Sequence, residues 1–146
     1  MGARMTQIRW GILGASKFAR EHMGPAIHAA KGAVLSAVAS RTPQKSVAPF
    51  QDFAAGCRAV MGYDALIADP DIDAIYIPLP HHMHVEWTVK ALNAGKHVLA
   101  EKPIAMQADD FDRLIAARDA SGLLAAEAYM IVHPPQCQRA RPMGAH

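Results

Sequence analysis

Two short segments carry the residues most suited to chemistry, and each follows an apolar run. The first reads Gly14-x-Ser16-x-x-Ala19. In the stricter form, Gly-x-Gly-x-x-Gly/Ala, the first glycine permits a tight turn and the second lets the backbone approach a pyrophosphate. The last small residue lets a helix pack close to a sheet. Ser16 keeps its backbone N–H and adds a hydroxyl donor, at some steric cost. A phosphate held there would sit at a helix N-terminus. The same spacing also suits a strand-to-helix turn that binds nothing. The second segment is Glu101-Lys102-Pro103, which closes the run His97-Val98-Leu99-Ala100. A lysine at a strand's carboxyl end can orient a substrate hydroxyl and stabilise alkoxide charge. It can also relay a proton where burial and a neighbouring cation lower its pKa. Glu101 can position that lysine or hydrogen-bond a ribose, and Pro103 fixes the backbone direction. Adjacent Glu and Lys also fit a plain surface ion pair.

About twenty residues past such a glycine turn, an acid would bind the ribose 2′-hydroxyl of NAD. This chain has Ala39-Ser40-Arg41-Thr42 there, with no acid. Arg41 offers a planar fork for a 2′-phosphate, Ser40 a further hydrogen bond, and Lys45 more charge one helical turn on. The expectation is NADP, with NAD possible; the alternative makes Arg41 a solvated loop residue and Ser40 a turn former. Pro78-Leu79-Pro80-His81-His82-Met83-His84 stiffens another loop after a strand, and such loops hold ligands in open α/β sheets. Three readings of its histidines stand: one lines a nicotinamide pocket, His84 begins a helix and bonds locally, or all three hold zinc. The zinc reading has the least support from neighbouring ligands, and no metal is expected. Tyr129 can project from a last strand toward the cofactor. His133 and Cys137 have no partner spacing and read as structural.

These residues need a scaffold that brings several strand ends together. Strand-like runs occur at Ile8 to Leu13, Ala33 to Ser40, Arg58 to Val60, Ala74 to Leu79, Lys96 to Glu101 and Leu123 to Ala128. Helical segments alternate with them. Residues 17–30 form the first, which Pro25 kinks or divides. Thr42 N-caps the second, with Pro43 at its first position. Tyr63 to Ala68 is short. The next aligns Val85, Thr88, Val89 and Leu92 on one face. The last carries Asp109 and Asp110 in its first turn, is expected to bury Ala108, Phe111, Leu114 and Ile115, and stops at Gly122. The alternation predicts a Rossmann-type α/β fold, a doubly wound parallel sheet in a single domain. That domain spans residues 1–128, and 129–146 form a tail broken by Pro134, Pro135 and Pro142.

Composition excludes several classes. At 146 residues the chain is one ordinary domain. Its 51% hydrophobic and 19% charged residues fit a folded protein, not a disordered one. A net charge of +2, spread along the sequence, makes no case for nucleic acid or a membrane surface. Cys57 and Cys137 form no CxxC pair and no disulfide framework, so a reducing cytoplasm is expected. No apolar run approaches the roughly 20 residues of a membrane span.

Taken in order, the motifs strongly resemble the glucose–fructose oxidoreductase / inositol dehydrogenase / rhizopine-catabolism (Gfo/Idh/MocA) family. The matching pieces are Trp10-Gly-Ile-Leu-Gly-Ala-Ser-Lys-Phe-Ala19, Val38-Ala-Ser-Arg41, Ile75-Tyr-Ile-Pro-Leu-Pro80, His84-Val-Glu-Trp87, Ala94-Gly-Lys-His-Val98 and Glu101-Lys-Pro103. The resemblance implies reversible hydride transfer between NADP and a sugar, polyol or dihydrodiol carbon. By position, Gly14, Ser16 and Phe18 would meet the pyrophosphate, and Ser40 and Arg41 the 2′-phosphate. Leu79, Pro80, His81 and His84 would line the path from adenosine to nicotinamide. Glu101 would touch the nicotinamide riboside, and Lys102 would be the catalytic or substrate-orienting lysine. Where this chain has His81 the family commonly has Asn. Family members are much longer, with a second domain that binds substrate and usually forms a homo-oligomer. The tail is therefore expected to be truncated or out of frame, with a carbohydrate-like substrate bound only if that domain is supplied. The alternative is a non-catalytic NADP-binding fragment, with apolar surface bared around Leu123 to Val132.

Overall fold

The computed structural model describes residues 7–130, together with Pro134, Pro135 and Arg139. Six parallel strands form one sheet in the order β3-β2-β1-β4-β5-β6. They are β1 (Ile8–Leu13), β2 (Ala33–Ser40), β3 (Arg58–Met61), β4 (Ala74–Ile77), β5 (His97–Glu101) and β6 (Ala125–Ala128). The helices are α1 (Gly24–Ala29), α2 (Pro43–Gln51), α3 (Tyr63–Ile67), α4 (His84–Asn93) and α5 (Ala108–Ser121). This is the Rossmann order, and the doubly wound parallel sheet expected from the alternation of segments is what forms.

Parallel strands need crossover helices, so both faces of the sheet are covered and its central strands are apolar on both sides. Every residue of β4 is buried. Ile75 and Ile77 face a core built with Leu66 of α3, Val85, Trp87, Ala91 and Leu92 of α4, and Leu114 and Ala117 of α5. Tyr76 faces the other core, with Ile12, Val38, Ile27 of α1, and Val47 and Phe50 of α2. In β2 the alternation is broken: Leu35 and Val38 share one face while Ala37 and Ala39 share the other. The β1–β2 register explains it. Trp10 opposes Leu35 but Gly11 opposes Ala37, so Ser36 is an extra residue, a bulge that switches faces.

The first helical stretch passes through a π-helical turn, Ala19–Met23, before α1. Pro25 has no N–H to donate, and a wider turn just ahead of it redistributes the carbonyls it leaves unpaired. Gly24 allows the turn to close: a Cβ there would lie 2.7 Å from the Ala19 carbonyl oxygen and 3.0 Å from Phe50. Thr42 does occupy the N-cap of α2 with Pro43 following, but its side chain makes no capping bond.

α5 departs from expectation. It buries Leu114 and Ala117, whereas Ala108 is exposed and Phe111 and Ile115 remain 45% and 44% exposed. β6 is the outermost strand on that side, so α5 has a neighbour on one flank only and its apolar stripe is wider than the surface that covers it. Leu124, expected within the last strand, precedes it and is 67% exposed. Among the described residues no helix is long and apolar enough to cross a membrane.

Candidate active site

In an open α/β sheet the loops at the strands' carboxyl ends part where the connections reverse direction, and the gap accepts ligands. Here that point lies between β1, which continues toward β2, and β4, which continues toward β5. A cleft of about 540 Å³ opens there. Ser16 and Phe18 follow β1, Pro78, Leu79 and His81 follow β4, Glu101 ends β5 with Lys102 after it, and Ala128 ends β6 with Tyr129 and Met130 after it. The glycine turn and the Glu-Lys-Pro segment, far apart in sequence, thus share one cavity.

Gly14 makes the turn on leaving β1, at φ +87°, where L side chains are disfavoured. Its N–H donates to the Ala39 carbonyl, tying the turn to β2. A Cβ at Gly14 would come within 3.1 Å of Leu79 Cδ2, so a side chain would close the gap between the β1 and β4 loops. The Ser16 hydroxyl oxygen accepts from the Ala19 N–H at 3.1 Å and so caps the helix start. Among the described residues the Ala15 and Ser16 amides donate to no other backbone group. A turn rich in free donors and without a carboxylate suits an anionic phosphate. Neighbouring β2 ends in Ser40, whose hydroxyl is nearly buried: it donates to Ser46 Oγ at 2.7 Å and accepts from the Thr42 N–H. It shapes the turn and is not turned out toward a ligand. Arg41 and Lys45 are exposed, and among the described residues neither has an ion-pair partner.

At the β5 end, Glu101 does not pair with the Lys102 ammonium. Its Oε1 accepts a short 2.6 Å hydrogen bond from the Tyr76 phenol, and its Oε2 accepts from the Lys102 backbone N–H at 3.3 Å. Burial first, then this bond and the carboxylate's charge, push the Tyr76 phenol above its ordinary range. Tyr76 therefore remains a donor. Lys102 stands exposed at the cleft, followed by a cis peptide to Pro103. Glu127 Oε1 accepts from the Ile104 N–H at 2.9 Å and braces the far side of that turn.

Two residues expected along the cofactor path are not among those that line this cleft. His84 is fully enclosed at the start of α4, with Nε2 2.7 Å from the Leu79 carbonyl oxygen and Nδ1 2.7 Å from that of Pro103. It clamps together the loops after β4 and β5 from beneath, because the helix start drops its ring between them. Pro80 is exposed and absent from the cleft wall. His81 does line the cleft, with its ring centroid 5.6 Å from that of His84. Among the described residues no three His, Cys, Asp or Glu side chains converge as for a metal. His133 and Cys137 lie outside the described residues. The sequence offered no sign of Tyr76, Met130 or Glu127 in this region. Tyr76 reads as one more apolar position of β4, and only the β4–β5 register, which sets it against Leu99, brings it within reach of Glu101.

Several known proteins are similar. A dTDP-3,4-didehydro-2,6-dideoxy-alpha-D-glucose 3-reductase of Streptomyces violaceoruber is 47% identical over 126 residues, 86% of this chain and 36% of the relative. An uncharacterized oxidoreductase of Rhizobium meliloti, ORF334, is 43% identical over 132 residues, 90% of this chain and 39% of the relative. KijD10, a 3-ketoreductase from Actinomadura kijaniata solved with NADP and TDP-benzene, superimposes with a TM-score of 0.86 at 39% identity, covering 94% of this chain and 42% of that one. The chain thus spans less than half the length of these relatives. Residues 8–129 match the oxidoreductase family with an NAD-binding Rossmann fold, and the chain belongs to that family, Gfo/Idh/MocA.

Proposed function

We propose that this chain is the dinucleotide-binding part of an NADP-dependent oxidoreductase that acts on a sugar, polyol or dihydrodiol carbon. The observation that carries the reading is the meeting of the glycine turn and Lys102 in one cleft at the sheet's reversal point. NADP, when bound, accepts or returns the hydride. The chain's own residues hold and orient. The Gly14–Ser16 turn presents donors to the pyrophosphate. Arg41, exposed at the end of β2 where an acid would select NAD, binds the 2′-phosphate. Glu101 accepts from a ribose hydroxyl. Lys102 donates to the reacting oxygen and stabilises the charge it develops. The likeness to a dTDP-3,4-didehydro-2,6-dideoxy-alpha-D-glucose 3-reductase and to a 3-ketoreductase solved with TDP-benzene favours a sugar carbon among the three substrate classes. The nucleotide-binding domain is residues 1–128, and a reducing cytoplasm suits the buried Cys57 thiol.

The 146-residue chain by itself is proposed to bind the dinucleotide without turning substrate over. The cleft is walled by strand ends on one side, while Tyr129 and Met130 at its rim are 49% and 66% exposed. Hydride transfer needs substrate held in register with the cofactor, and the covered share of the relatives, under half, favours a further substrate-holding part. Calorimetric titration with NADP and then NAD tests the reading. The expected result is saturable binding that prefers NADP, a preference lost in Arg41→Ala. A folded chain that binds neither nucleotide sinks it, and steady-state polyol or sugar oxidation above a Lys102→Ala control would overturn the claim that the chain alone is inactive.

A further inference from the structure

The sheet buries a polar side chain directly beneath the cleft. Tyr76 is wholly enclosed, and its ring packs with the α1 and α2 core. In the β4–β5 register Tyr76 opposes Leu99, and Glu101 lies two residues further along β5 on the same face. Such diagonal neighbours are within reach of an aromatic side chain. The phenol oxygen meets Glu101 Oε1 at 2.6 Å, the length of a charge-assisted O–H···O⁻ bond. No other side chain among the described residues donates to Glu101. A buried phenol without a partner would be costly, and an apolar residue in its place would pack as well. The hydroxyl therefore has a use at Glu101.

We propose that Tyr76 is a positioning residue that fixes the Glu101 carboxylate toward the cleft so that it receives the hydroxyls of the nicotinamide-side ribose. The inference rests on the reading of this cleft as a dinucleotide site. A carboxylate offers about four lone-pair positions. The Tyr76 phenol and the Lys102 N–H occupy one on each oxygen, which sets the carboxylate plane and leaves the remaining positions for the ligand. With its plane set, Glu101 loses little side-chain freedom on binding. Burial and the carboxylate push the phenol above its ordinary range, so it keeps the proton that it donates to Glu101.

The test compares two probes on the 146-residue chain: NADP, and 2′,5′-ADP, which has the 2′-phosphate but no nicotinamide riboside. Tyr76→Phe is expected to weaken NADP about tenfold, the value of one hydrogen bond to a charged group, and to leave 2′,5′-ADP unchanged. Glu101→Gln should show the same discrimination, and the double variant should be little worse than either single one. Equal weakening of both probes would make Tyr76 merely structural and overturn the proposal. So would unchanged NADP affinity in a folded Tyr76→Phe. Should Tyr76→Phe fail to fold, Glu101→Asp tests the contact from the cleft side and keeps the Tyr76 ring in the core, because the shorter side chain withdraws the carboxylate from the phenol. It should lose NADP affinity alone, and unaltered binding again overturns the idea. Wild-type chain that binds neither probe removes the dinucleotide reading and this inference with it. Wild-type binding with no discrimination among the variants removes this inference only.

Discussion

Replacing His84 by alanine should cost more stability than its position outside the cleft wall suggests. The ring is fully enclosed, and both nitrogens lie 2.7 Å from carbonyl oxygens, one of Leu79 and one of Pro103. At least one ring nitrogen donates to the carbonyl that it faces. The alanine variant removes that bond and leaves two acceptors facing the space the ring filled. The Pro103 side is only partly buried, so water can recover that carbonyl. The Leu79 contact is buried, and an unsatisfied buried acceptor costs roughly 1–3 kcal/mol. Lost packing of the ring adds about 2 kcal/mol, the low end for large-to-small core changes. Together these predict a loss of about 3–5 kcal/mol, a large share of the roughly 5–15 kcal/mol that holds a domain together. Urea unfolding followed by circular dichroism measures it, with His81→Ala, exposed at the cleft, as a control expected within about 0.5 kcal/mol of wild type. NADP binding should weaken as well, since the freed loops carry Leu79 and Lys102. A His84→Ala chain within about 1 kcal/mol of wild type would refute the view that the clamp is structural.

Gly14→Ala should destabilise by about 1–2 kcal/mol through its left-handed backbone. It should also reduce NADP affinity by crowding Leu79, 3.1 Å from the added Cβ; titration of a folded variant with undiminished affinity would place the dinucleotide elsewhere. At the opposite edge of the sheet, hydrogen bonding from Arg9 holds the Asp73 carboxyl below its ordinary 3.8, against some opposing burial. A depressed carboxyl adds stability above its unfolded value that is lost as pH falls through its folded one. Asp73→Asn should therefore be less stable near neutrality and show a shallower loss below pH 4 in acid unfolding, a modest effect because the side chain is 37% exposed. Burial pushes the Cys57 thiol up to about 11, so it should resist alkylation at neutral pH until the chain unfolds, as peptide-level mass spectrometry would read.

Periodicity and punctuation made the elements legible. Glycines at 14 and 122 and the prolines near residues 43 and 80 mark turns that local chain chemistry alone decides. The chemically suggestive residues Ser16, Phe18, Leu79, His81, Glu101 and Lys102 share the cleft because parallel strands put all their carboxyl ends on one edge. Two of the expected site residues are placed differently for a common reason. His84 and Ser40 are polar residues at the right element ends, yet each spends its polar atoms inside the protein, on Leu79 and Pro103 and on Ser46 and Thr42. Tyr76 was the converse, an apparently apolar strand position whose hydroxyl reaches the site. Loop membership can be read from a sequence; the direction a side chain takes depends on strand register and on which backbone groups lack partners. The helical pattern of α5 likewise says nothing of whether a neighbour exists to cover Phe111.

The two edges of the sheet divide labour for a reason rooted in its parallel strands. At the amino edge several charges are mutually satisfied: Arg9 binds Asp71 and Asp73, Arg58 binds Asp69, and Lys96 donates to the Asp69 and Ile72 carbonyls. That edge ties β1, β3 and β4 together. At the carboxyl edge the ionic groups Arg41, Lys45 and Lys102 have no ion-pair partners among the described residues, while Tyr76 and His84 beneath the cleft spend their polar atoms on Glu101 and on the Leu79 and Pro103 carbonyls. Arg41 just past β2, Lys45 in α2 and Lys102 just past β5 thus gain no ion-pair stabilisation in the free chain. Their arrangement makes energetic sense when a polyanion arrives, and a dinucleotide bearing a pyrophosphate and a 2′-phosphate is such an anion. The positive edge and the braced loops under it are one design: the support is rigid so that the exposed charges need not reorganise when the ligand binds.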